Sequence, residues 1–291
     1  MIRKAVIPAA GYGTRFLPAT KALPKEMLPI VDRPVIQYVV EEVVASGIQD
    51  ILVVISRSKR AIEEHFDRHL ELEDLLETQG RIDELDTIRR ISSLAHIHFV
   101  WQETMNGLGG AILCARDHVG DEPFAVLLGD TLMQSRAPVT LQLNDIHSRK
   151  RGPVVALEEV SLAKVSRYGV IRGQALGDRL YQISGLIEKP SLELAPSNLA
   201  IAGRYVLVPE IFGMLDRQQP SRNGEIQLTD ALSVLAQEQV LYGLRFEGRR
   251  YDLGNKLDWL EANVVFGLAR EDIAAEFRSF LDDFLHPEVD G

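Results

Sequence analysis

The chain has 291 residues, of which 46% are hydrophobic and 25% are charged, and its formal net charge at pH 7 is −10. This length allows one large domain with a sizeable core, and the composition is ordinary for a globular protein. The acidic balance argues against a nucleic-acid partner, whereas a small anionic ligand could still bind where basic residues cluster.

The chain contains one cysteine, Cys114, so it can form no disulfide within itself and no cysteine-based metal site. Apolar neighbours favour its interpretation as a small buried hydrophobe. No signal-peptide pattern opens the sequence, and no apolar run reaches membrane-spanning length. We therefore expect a cytoplasmic protein without a membrane partner.

The first predicted element is a short buried strand that runs into Gly11-x-Gly13. The glycines allow a tight turn and a close approach of a ligand to backbone N–H groups, which bind anions. Arg15 can add a forked pair of donors, and Lys21 and Lys25 add point charges. The stretch is predicted to hold a polyphosphate.

Two common phosphate-binding motifs do not fit this loop. The dinucleotide fingerprint requires a third glycine at position 16, which is Phe16, and the P-loop requires Gly-Lys-Ser/Thr where residues 16–18 read Phe-Leu-Pro. The alternative is a glycine turn with solvated basic residues. Pro18, Pro24 and Pro29 argue against that alternative, because they stiffen the loop and lower the entropy cost of ordering it.

The next segments predict a βαβ unit and hence an α/β fold. Apolar residues at helical spacing from Ile36 to Val44 predict a helix that stops near Gly47. The continuous apolar run Ile51–Ile55 is typical of a parallel strand covered on both faces. Residues 58–94 carry charges of both signs and are predicted to form a solvated helical excursion.

Alternating apolar residues then predict a strand that contains His96 and His98, which we interpret as surface or edge-strand histidines and not as a metal pair. Gln102 follows this strand, and its amide can read the edge of a base because it offers a donor and acceptors. The glycines of the segment 107–110, predicted to open a helix, would let a flat base lie close to the backbone.

The buried strand that begins at Phe124 ends in Asp130. A carboxylate at the carboxyl end of a parallel strand lies where ligands bind in open α/β sheets. Mg²⁺ prefers few carboxylates together with phosphate oxygens and water, so Asp130 is the candidate metal ligand. The alternative is a turn or helix-capping aspartate.

From about residue 145 onward, successive strands with little helix between them predict a mixed or antiparallel lobe that shares the same sheet. In Glu188-Lys189-Pro190 the carboxylate could bind vicinal sugar hydroxyls and the lysine a phosphate; the alternative is an ordinary surface ion pair. Glu225 and Asp230 suit the first turn of a later helix. An amphipathic helix from about Ile273 onward could pack on its own chain or on another subunit.

The run Pro-Ala-Ala-Gly-Tyr-Gly-Thr-Arg-Phe-Leu-Pro-Ala-Thr-Lys-Ala-Leu-Pro-Lys-Glu-Met-Leu-Pro, from Pro8 to Pro29, resembles the bacterial UTP–glucose-1-phosphate uridylyltransferases of the sugar nucleotidyltransferase family. Further matches extend along nearly the whole chain. The resemblance implies a Rossmann-like, mixed, mainly parallel sheet flanked by helices, with a small sugar-binding β lobe. It also implies a single domain over 1–291: a mainly nucleotide-binding part at 1–144, a mainly sugar-binding part at 145–255 and C-terminal helices at 256–291.

The resemblance implies an enzyme that transfers the uridylyl group of UTP to α-D-glucose 1-phosphate, giving UDP-glucose and pyrophosphate with Mg²⁺ as cofactor. Relatives assemble as dimers or tetramers, so a homodimer or homotetramer is expected. The implied site residues are catalytic Arg15, Lys25 and Lys189; substrate-binding Ala9, Ala10, Gly11, Gly13, Gln102, Gly107, Gly169, Glu188 and Gly203; and metal-binding Asp130 and Asp252.

The sequence departs from the family pattern at a few positions. Asn106 and Gly110 stand where the family usually has a basic residue and a histidine, and Leu253 and Asn255 differ from the commoner residues around the second metal position. Two alternatives therefore stay open. One is a related pyrophosphorylase that uses dTTP or another sugar 1-phosphate. The other is a catalytically weak paralogue that binds UDP-glucose or modulates a partner subunit.

Overall fold

The structure, a computed structural model, describes residues 2–221 and 224–286. In these ranges the strands are β1 (Lys4–Pro8), β2 (Pro29–Ile30), β3 (Arg33–Pro34), β4 (Asp50–Ile55), β5 (His96–Trp101), β6 (Phe124–Leu127), β7 (Thr131–Gln134), β8 (Val154–Glu159), β9 (Gly169–Ala175), β10 (Leu180–Glu188), β11 (Leu199–Leu207), β12 (Leu241–Arg245) and β13 (Arg249–Asp252). The helices are α1 (Val35–Ala45), α2 (Arg60–Phe66), α3 (Leu70–Thr78), α4 (Ile82–Ser92), α5 (Gly107–Leu113), α6 (Arg116–Val119), α7 (Val139–Lys150), α8 (Glu210–Arg217), α9 (Leu228–Glu238), α10 (Lys256–Leu268) and α11 (Ala274–Leu285).

A nine-stranded sheet organises the molecule, in the order β5-β4-β1-β6-β11-β8-β12-β10-β9. Strands β5, β4, β1 and β6 are parallel neighbours, and β12 is parallel to β8. Among the described strands of this sheet, only β10 and β11 run against the others. The predicted mixed, mainly parallel sheet is confirmed, and the carboxyl ends of its parallel strands meet at one edge.

Strand β11 joins the lobe to the parallel strands. Its residues 204–207 pair with β6, whereas residues 199–201 lie beyond the end of β6 and pair with β8 and β9. The register shifts between the two stretches, and Gly203 has a φ of +78°, a left-handed conformation that favours glycine. The β9–β10 hairpin therefore extends past the carboxyl edge, as expected of a lobe that shares the sheet.

The predicted boundary at residue 144 lies inside helix α7. The strands on its two sides belong to the same sheet, because β8, β9, β10 and β12 continue from β11. The boundary is therefore not a break in the fold. The assignment of the nucleotide to one part and of the sugar to the other stays a prediction about function.

Apolar side chains cover both faces of the central strands. On one face Val6 and Leu52 pack with helices α5, α8 and α9. On the other face Ala5 and Ile51 pack with α1 and α7. Because neighbouring strand residues point to opposite faces, burial of both faces explains the continuous apolar runs of the sequence.

Helix α1 ends as its glycine predicts. Gly47 has a φ of +81°, the Ile48 N–H donates to the Val43 carbonyl at 3.2 Å, and the Gly47 N–H donates to the Val44 carbonyl at 2.9 Å. These two bonds form a Schellman motif, which satisfies the last carbonyls of the helix. The chain is thereby turned directly into the parallel strand β4.

The excursion between residues 58 and 94 is helical, as predicted, and comprises α2, α3 and α4. The prediction of edge-strand histidines is also confirmed: β5 is the outermost strand, and His96 and His98 are both exposed. Within the described ranges, none of the helices combines the length and the apolar character that crossing a bilayer would need.

Two local predictions require correction. Cys114, which was expected to be buried, follows the last residue of the short helix α5 and is only partly buried. Asp230 lies in the first turn of α9 as predicted, whereas Glu225 precedes that helix and lines a cavity.

Candidate active site

Two adjacent cavities lie at the carboxyl edge of the sheet. The first, of about 490 Å³, is lined by the predicted residues Ala10, Gly11, Gly13, Lys25, Gln102, Gly107 and Asp130. The second, of about 280 Å³, is lined by the predicted residues Arg15, Gly107, Asp130, Gly169, Glu188, Lys189, Gly203 and Asp252. Asp130 and Gly107 line both cavities, so the two spaces meet at these residues.

The side chain of Lys25 lies against the glycine loop, residues 11–13. Gly13 has a φ of +67°, and a Cβ atom placed there would lie 3.1 Å from the Cβ of Lys25. The missing side chain leaves room for the lysine stem, while the Thr20 hydroxyl donates to the Gly13 carbonyl at 2.7 Å. Ala9 does not line either cavity: it is 2% exposed, and its N–H donates to the Val54 carbonyl.

A row of alternating charges begins behind this loop and ends in the crevice. Lys59 Nζ lies 2.7 Å from Glu26 Oε2, and these side chains are only 2% and 1% exposed. Glu26 Oε1 lies 3.9 Å from Lys25 Nζ, which in turn lies 2.5 Å from Asp130 Oδ2. The order is thus Lys59, Glu26, Lys25, Asp130, with each charge next to an opposite one.

These contacts determine the protonation states at the crevice. Burial acts to lower the pKa of Lys25, but Asp130 and then Glu26 outweigh it and raise this pKa to about 12. Burial acts to raise the pKa of Asp130, but the charge and the hydrogen bond of Lys25 bring it below its ordinary value. Near neutral pH the lysine is therefore a cation and the aspartate an anion.

The pKa values of the buried pair, Glu26 and Lys59, are shifted in the opposite directions to those of Asp130 and Lys25. Burial raises the pKa of Glu26 against the opposing charges of Lys25 and Lys59, and it lowers the pKa of Lys59 against the opposing charge of Glu26. Neither residue was assigned a role from the sequence. Glu26 is adjacent to a predicted cation, but Lys59 belongs to a separate 3₁₀ turn, and no periodicity links two residues so far apart.

Asp252 lies beside Asp130 because strands β13 and β7 pair Asp252 with Thr131. Asp252 Oδ2 accepts a hydrogen bond from the Tyr168 hydroxyl at 3.1 Å, and Oδ1 accepts one from the Gly254 N–H at 3.0 Å. A Cβ at Gly254 would lie 2.9 Å from Arg15 Nη1, so the glycine lets the arginine approach this carboxylate.

The site offers two carboxylates, Asp130 and Asp252. Such a pair suits a metal ion that binds together with a phosphate substrate better than one that the protein holds permanently. Within residues 2–221 and 224–286 no group of three or more His, Cys, Asp and Glu side chains could hold a metal ion. Mg²⁺ commonly uses one or two carboxylates and completes its octahedron with phosphate oxygens and water. Asp130 and Asp252 match that donor set.

The second cavity presents a carboxylate and an ammonium side by side. Glu188 Oε1 lies 3.1 Å from Lys189 Nζ, and Glu188 Oε2 accepts a hydrogen bond from the Thr229 hydroxyl at 2.6 Å. Consecutive strand residues normally point to opposite faces. Lys189 has a φ of +45°, which breaks that alternation and lets both side chains line one cavity.

Missing side chains leave the room in this cavity. A Cβ at Gly169 would lie 3.0 Å from the Thr229 hydroxyl and 3.1 Å from Glu188 Oε2, and a Cβ at Gly203 would lie 3.1 Å from Leu128 Cδ1. Both glycines are predicted from the family resemblance, whereas Thr229 is not. A threonine in the first turn of a helix carries no signal that distinguishes it from a structural residue.

Hydrogen bonds hold the part of the first cavity that Gln102 and Gly107 line. Gln102 is 6% exposed, and its Nε2 donates to the Gly107 carbonyl at 3.1 Å. The Gly109 N–H donates to the Ile226 carbonyl, and the Ile226 N–H donates to the Asn106 carbonyl. These bonds fasten the start of α5 to the segment before α9, so Gln102 and Gly107 have a fixed position.

Comparisons with known proteins agree on the kind of molecule. The family model described as Nucleotidyl transferase matches residues 4–266. The chain is 47% identical over 287 residues to a UTP–glucose-1-phosphate uridylyltransferase of Bacillus subtilis, and the match covers 99% of this chain and 98% of that relative.

Solved structures with bound ligands are also similar. A UDP-glucose pyrophosphorylase complexed with UDP-glucose matches with a TM-score of 0.84 and 44% identity, over 93% of this chain and 100% of that one. A UTP-bound UGPase from Acinetobacter baumannii matches with a TM-score of 0.90 and 38% identity, over 97% of this chain and 99% of that one.

Proposed function

We propose that this chain, which belongs to the nucleotidyl transferase family, transfers the uridylyl group of UTP to α-D-glucose 1-phosphate, giving UDP-glucose and pyrophosphate. The observation that carries this proposal is the position of Asp130, which lines both cavities and pairs with Lys25 in the wall of the first. One cavity has the features of a nucleotide site and the other those of a sugar phosphate site. The names of the relatives, and the UTP and UDP-glucose bound to two of the similar structures, support the same reaction.

UTP occupies the first cavity in this proposal. Its uracil lies against Gln102 and Gly107, and its triphosphate lies on the backbone of Gly11 and Gly13 next to Lys25. Glycines allow this contact because no side chain separates the phosphates from the N–H groups. The α-phosphorus is then close to Asp130.

Glucose 1-phosphate occupies the second cavity. Glu188 accepts hydrogen bonds from sugar hydroxyls, and Gly169 and Gly203 leave space for the ring. Lys189 lies beside Glu188 and pairs with the phosphate of the sugar. Arg15 also lines this cavity and follows the glycine loop in the sequence.

Catalysis in this arrangement consists mainly of alignment and charge neutralisation. The attacking phosphate is already ionised, so no strong general base is required, and the main obstacle is repulsion between two anions. Arg15, Lys25 and Lys189 place positive charge at the triphosphate, at the leaving pyrophosphate and at the nucleophile. The raised pKa of Lys25 keeps it charged throughout the neutral range.

Enzymes of this kind generally use a divalent metal ion, and we propose Mg²⁺. Asp130 and Asp252 would hold it, and the bound ion would neutralise charge on the phosphate oxygens. In the structure Asp130 is paired with Lys25 at 2.5 Å. The lysine can release this carboxylate when phosphates supply a second partner for its ammonium group.

An assay of pyrophosphate release tests the proposal. The purified chain with UTP, glucose 1-phosphate and Mg²⁺ is expected to turn over, and Asp130→Ala should lower kcat by on the order of a hundredfold or more, because a preorganised charge is lost. Asp74→Ala on the exposed side of α3 serves as the matched control and should leave the rate unchanged. A nearly normal rate for Asp130→Ala at saturating Mg²⁺ would contradict the assigned role.

The same assay separates the alternatives. Initial rates with UTP and dTTP, measured side by side, distinguish a uridylyltransferase from a related pyrophosphorylase. Absence of pyrophosphate release together with tight binding of UDP-glucose would identify a regulatory paralogue. The cytoplasmic location and the assembly as a homodimer or homotetramer stay predictions.

A further inference from the structure

Asn106 and Gly110 share one space in the wall of the first cavity. A Cβ atom placed on Gly110 would lie 1.8 Å from Asn106 Oδ1 and 2.4 Å from Asn106 Cγ. The carboxamide of Asn106 therefore fills the volume that any larger residue at position 110 would need. The family resemblance marks both positions as departures, and in the structure the two occupy neighbouring parts of one space.

The Asn106 carboxamide contacts the side chain assigned to the base. Gln102 Nε2 donates to Asn106 Oδ1 at 2.9 Å and to the Gly107 carbonyl at 3.1 Å. A backbone carbonyl can only accept, so this second bond identifies which end of the Gln102 amide is nitrogen. Both amide hydrogens are then engaged, and the carbonyl oxygen is what Gln102 can offer to a ligand.

We infer that Asn106 is a positioning residue that makes Gln102 select bases with a hydrogen-bond donor at N3. This inference rests on the proposed function, in which the base lies against Gln102. Uracil carries N3–H, which donates to Gln102 Oε1. Cytosine carries a lone pair at N3, which would face the same oxygen and leave two acceptors opposed. A buried site that pairs with one ligand and leaves its analogue unpaired discriminates strongly.

Gly110 contributes to the same positioning, because a glycine has no Cβ that would displace the Asn106 carboxamide. A Gly110→Ala substitution would displace the end of a flexible side chain and not the backbone, since the nearest atoms all belong to the Asn106 carboxamide. Without Asn106 Oδ1, Gln102 would keep only the bond to the Gly107 carbonyl and could rotate. Gly110→Ala and Asn106→Ala should therefore both weaken the selection of uracil over cytosine.

The test compares kcat/KM for UTP and for CTP. Asn106→Ala should lower the UTP-to-CTP ratio about tenfold, the effect of losing about one hydrogen bond. Asn106→Asp retains an acceptor for Gln102 Nε2 and should keep the ratio. The ratio of UTP to dTTP should not change in any variant, because thymine also carries N3–H. The KM for glucose 1-phosphate should stay the same.

A double-mutant cycle tests the coupling. Gly110→Ala should lower the UTP-to-CTP ratio like Asn106→Ala, and the double variant should show no further loss, because the displaced group is already absent. Gly213→Ala, where an added Cβ meets nothing within 4 Å, is the matched glycine control and should not change the ratio. Thermal unfolding verifies that each variant is folded. If Gly110→Ala does not fold, the Asn106 variants alone still test the positioning role.

The outcomes separate this inference from the proposed function. Calorimetric Kd values for UTP and CTP report base selection even if the wild type releases no pyrophosphate, which would overturn the proposed reaction alone. A wild type that discriminates UTP from CTP, with an unchanged ratio in Asn106→Ala, would overturn the positioning role. Strictly multiplicative effects in the double variant would overturn the coupling.

Discussion

Lys25 touches a carboxylate on each side, Glu26 behind it and Asp130 in the crevice. Its charge is therefore held by residues of two separate segments, and Lys59 completes the row at its buried end. An ion pair with both partners buried is weak support for stability, because desolvation offsets the attraction. Its value here is positional: it fixes the turn that places Lys25 over the glycine loop.

Removing one partner of the buried pair should be more harmful than removing both. Lys59→Met leaves Glu26 buried with reduced compensation and should lower the free energy of unfolding by about 3 kcal/mol. The double variant Lys59→Met/Glu26→Gln should recover part of that loss. Urea unfolding of both variants measures the difference.

The control is an exposed ion pair with a similar distance between its nitrogen and oxygen atoms. Arg60 Nε and Glu64 Oε1 are 3.0 Å apart, with side chains 82% and 65% exposed. Arg60→Met should therefore cost less than about 1 kcal/mol. If Lys59→Met is as mild as Arg60→Met, the buried pair has no role in holding the turn.

Residues near a sequence motif could be predicted, whereas their distant partners could not. The glycines and cations of the first loop lie within one short stretch whose composition indicates phosphate binding. Glu26 and Lys59 meet across 33 positions, and Glu188 and Thr229 across 41. Such contacts depend on the packing of separate elements, which no local pattern encodes.

At the scale of elements, helices α3 and α4 are joined through one carboxylate. Glu73 accepts hydrogen bonds from Arg68 at 3.0 and 2.5 Å and from Arg89 at 3.0 Å. The bonds from Arg68 and then Arg89 lower the pKa of Glu73 from 4.5 to about 2. A carboxylate whose folded pKa is depressed stabilises the fold above its unfolded pKa, and this contribution disappears as the pH falls through the folded value.

The Glu73 contacts predict a pH-dependent effect on stability. Glu73→Gln should lower Tm by a few degrees at pH 7, and the difference from the wild type should shrink below pH 4.5 and vanish near pH 2. Asp74→Asn, on the same helix and exposed, serves as the control. A Tm difference that is constant from pH 7 to pH 2.5 would show that the charge of Glu73 is not involved.

The long buried strands were predictable because burial on both faces leaves a continuous apolar run. The two-residue strands β2 and β3 and the pairing of β13 with β7 were not predicted. Asp252 and Thr131 are neighbours only because a far segment of the chain returns to the carboxyl edge. The prediction that Asp252 is a second metal ligand therefore rests on family resemblance and not on local sequence.

At the scale of the whole molecule, an acidic chain concentrates cations in one crevice. The net charge is −10, yet Arg15, Lys25 and Lys189 line the two joined cavities. Strand β11 makes this possible, because it carries the lobe past the end of the parallel strands. Two distant parts of the sequence thereby face each other across Asp130.

The C-terminal helix α11 exposes aromatic side chains to solvent. Its Phe277 packs against Gly267 of α10, whereas Phe280 and Phe284 stack at a centroid distance of 6.2 Å and are 59% and 72% exposed. The amphipathic helix predicted from the sequence is present. Its part in a homodimer or homotetramer stays a prediction.

A crystal structure of the complex with UDP-glucose and Mg²⁺ tests the central claim most directly. The account predicts that the diphosphate lies between the Gly11–Gly13 loop and Asp130, with its oxygens about 3 Å from loop N–H groups, the glucose against Glu188, and Lys25 no longer paired with Asp130. A diphosphate bound outside both cavities, with the Lys25–Asp130 contact unchanged, would contradict it.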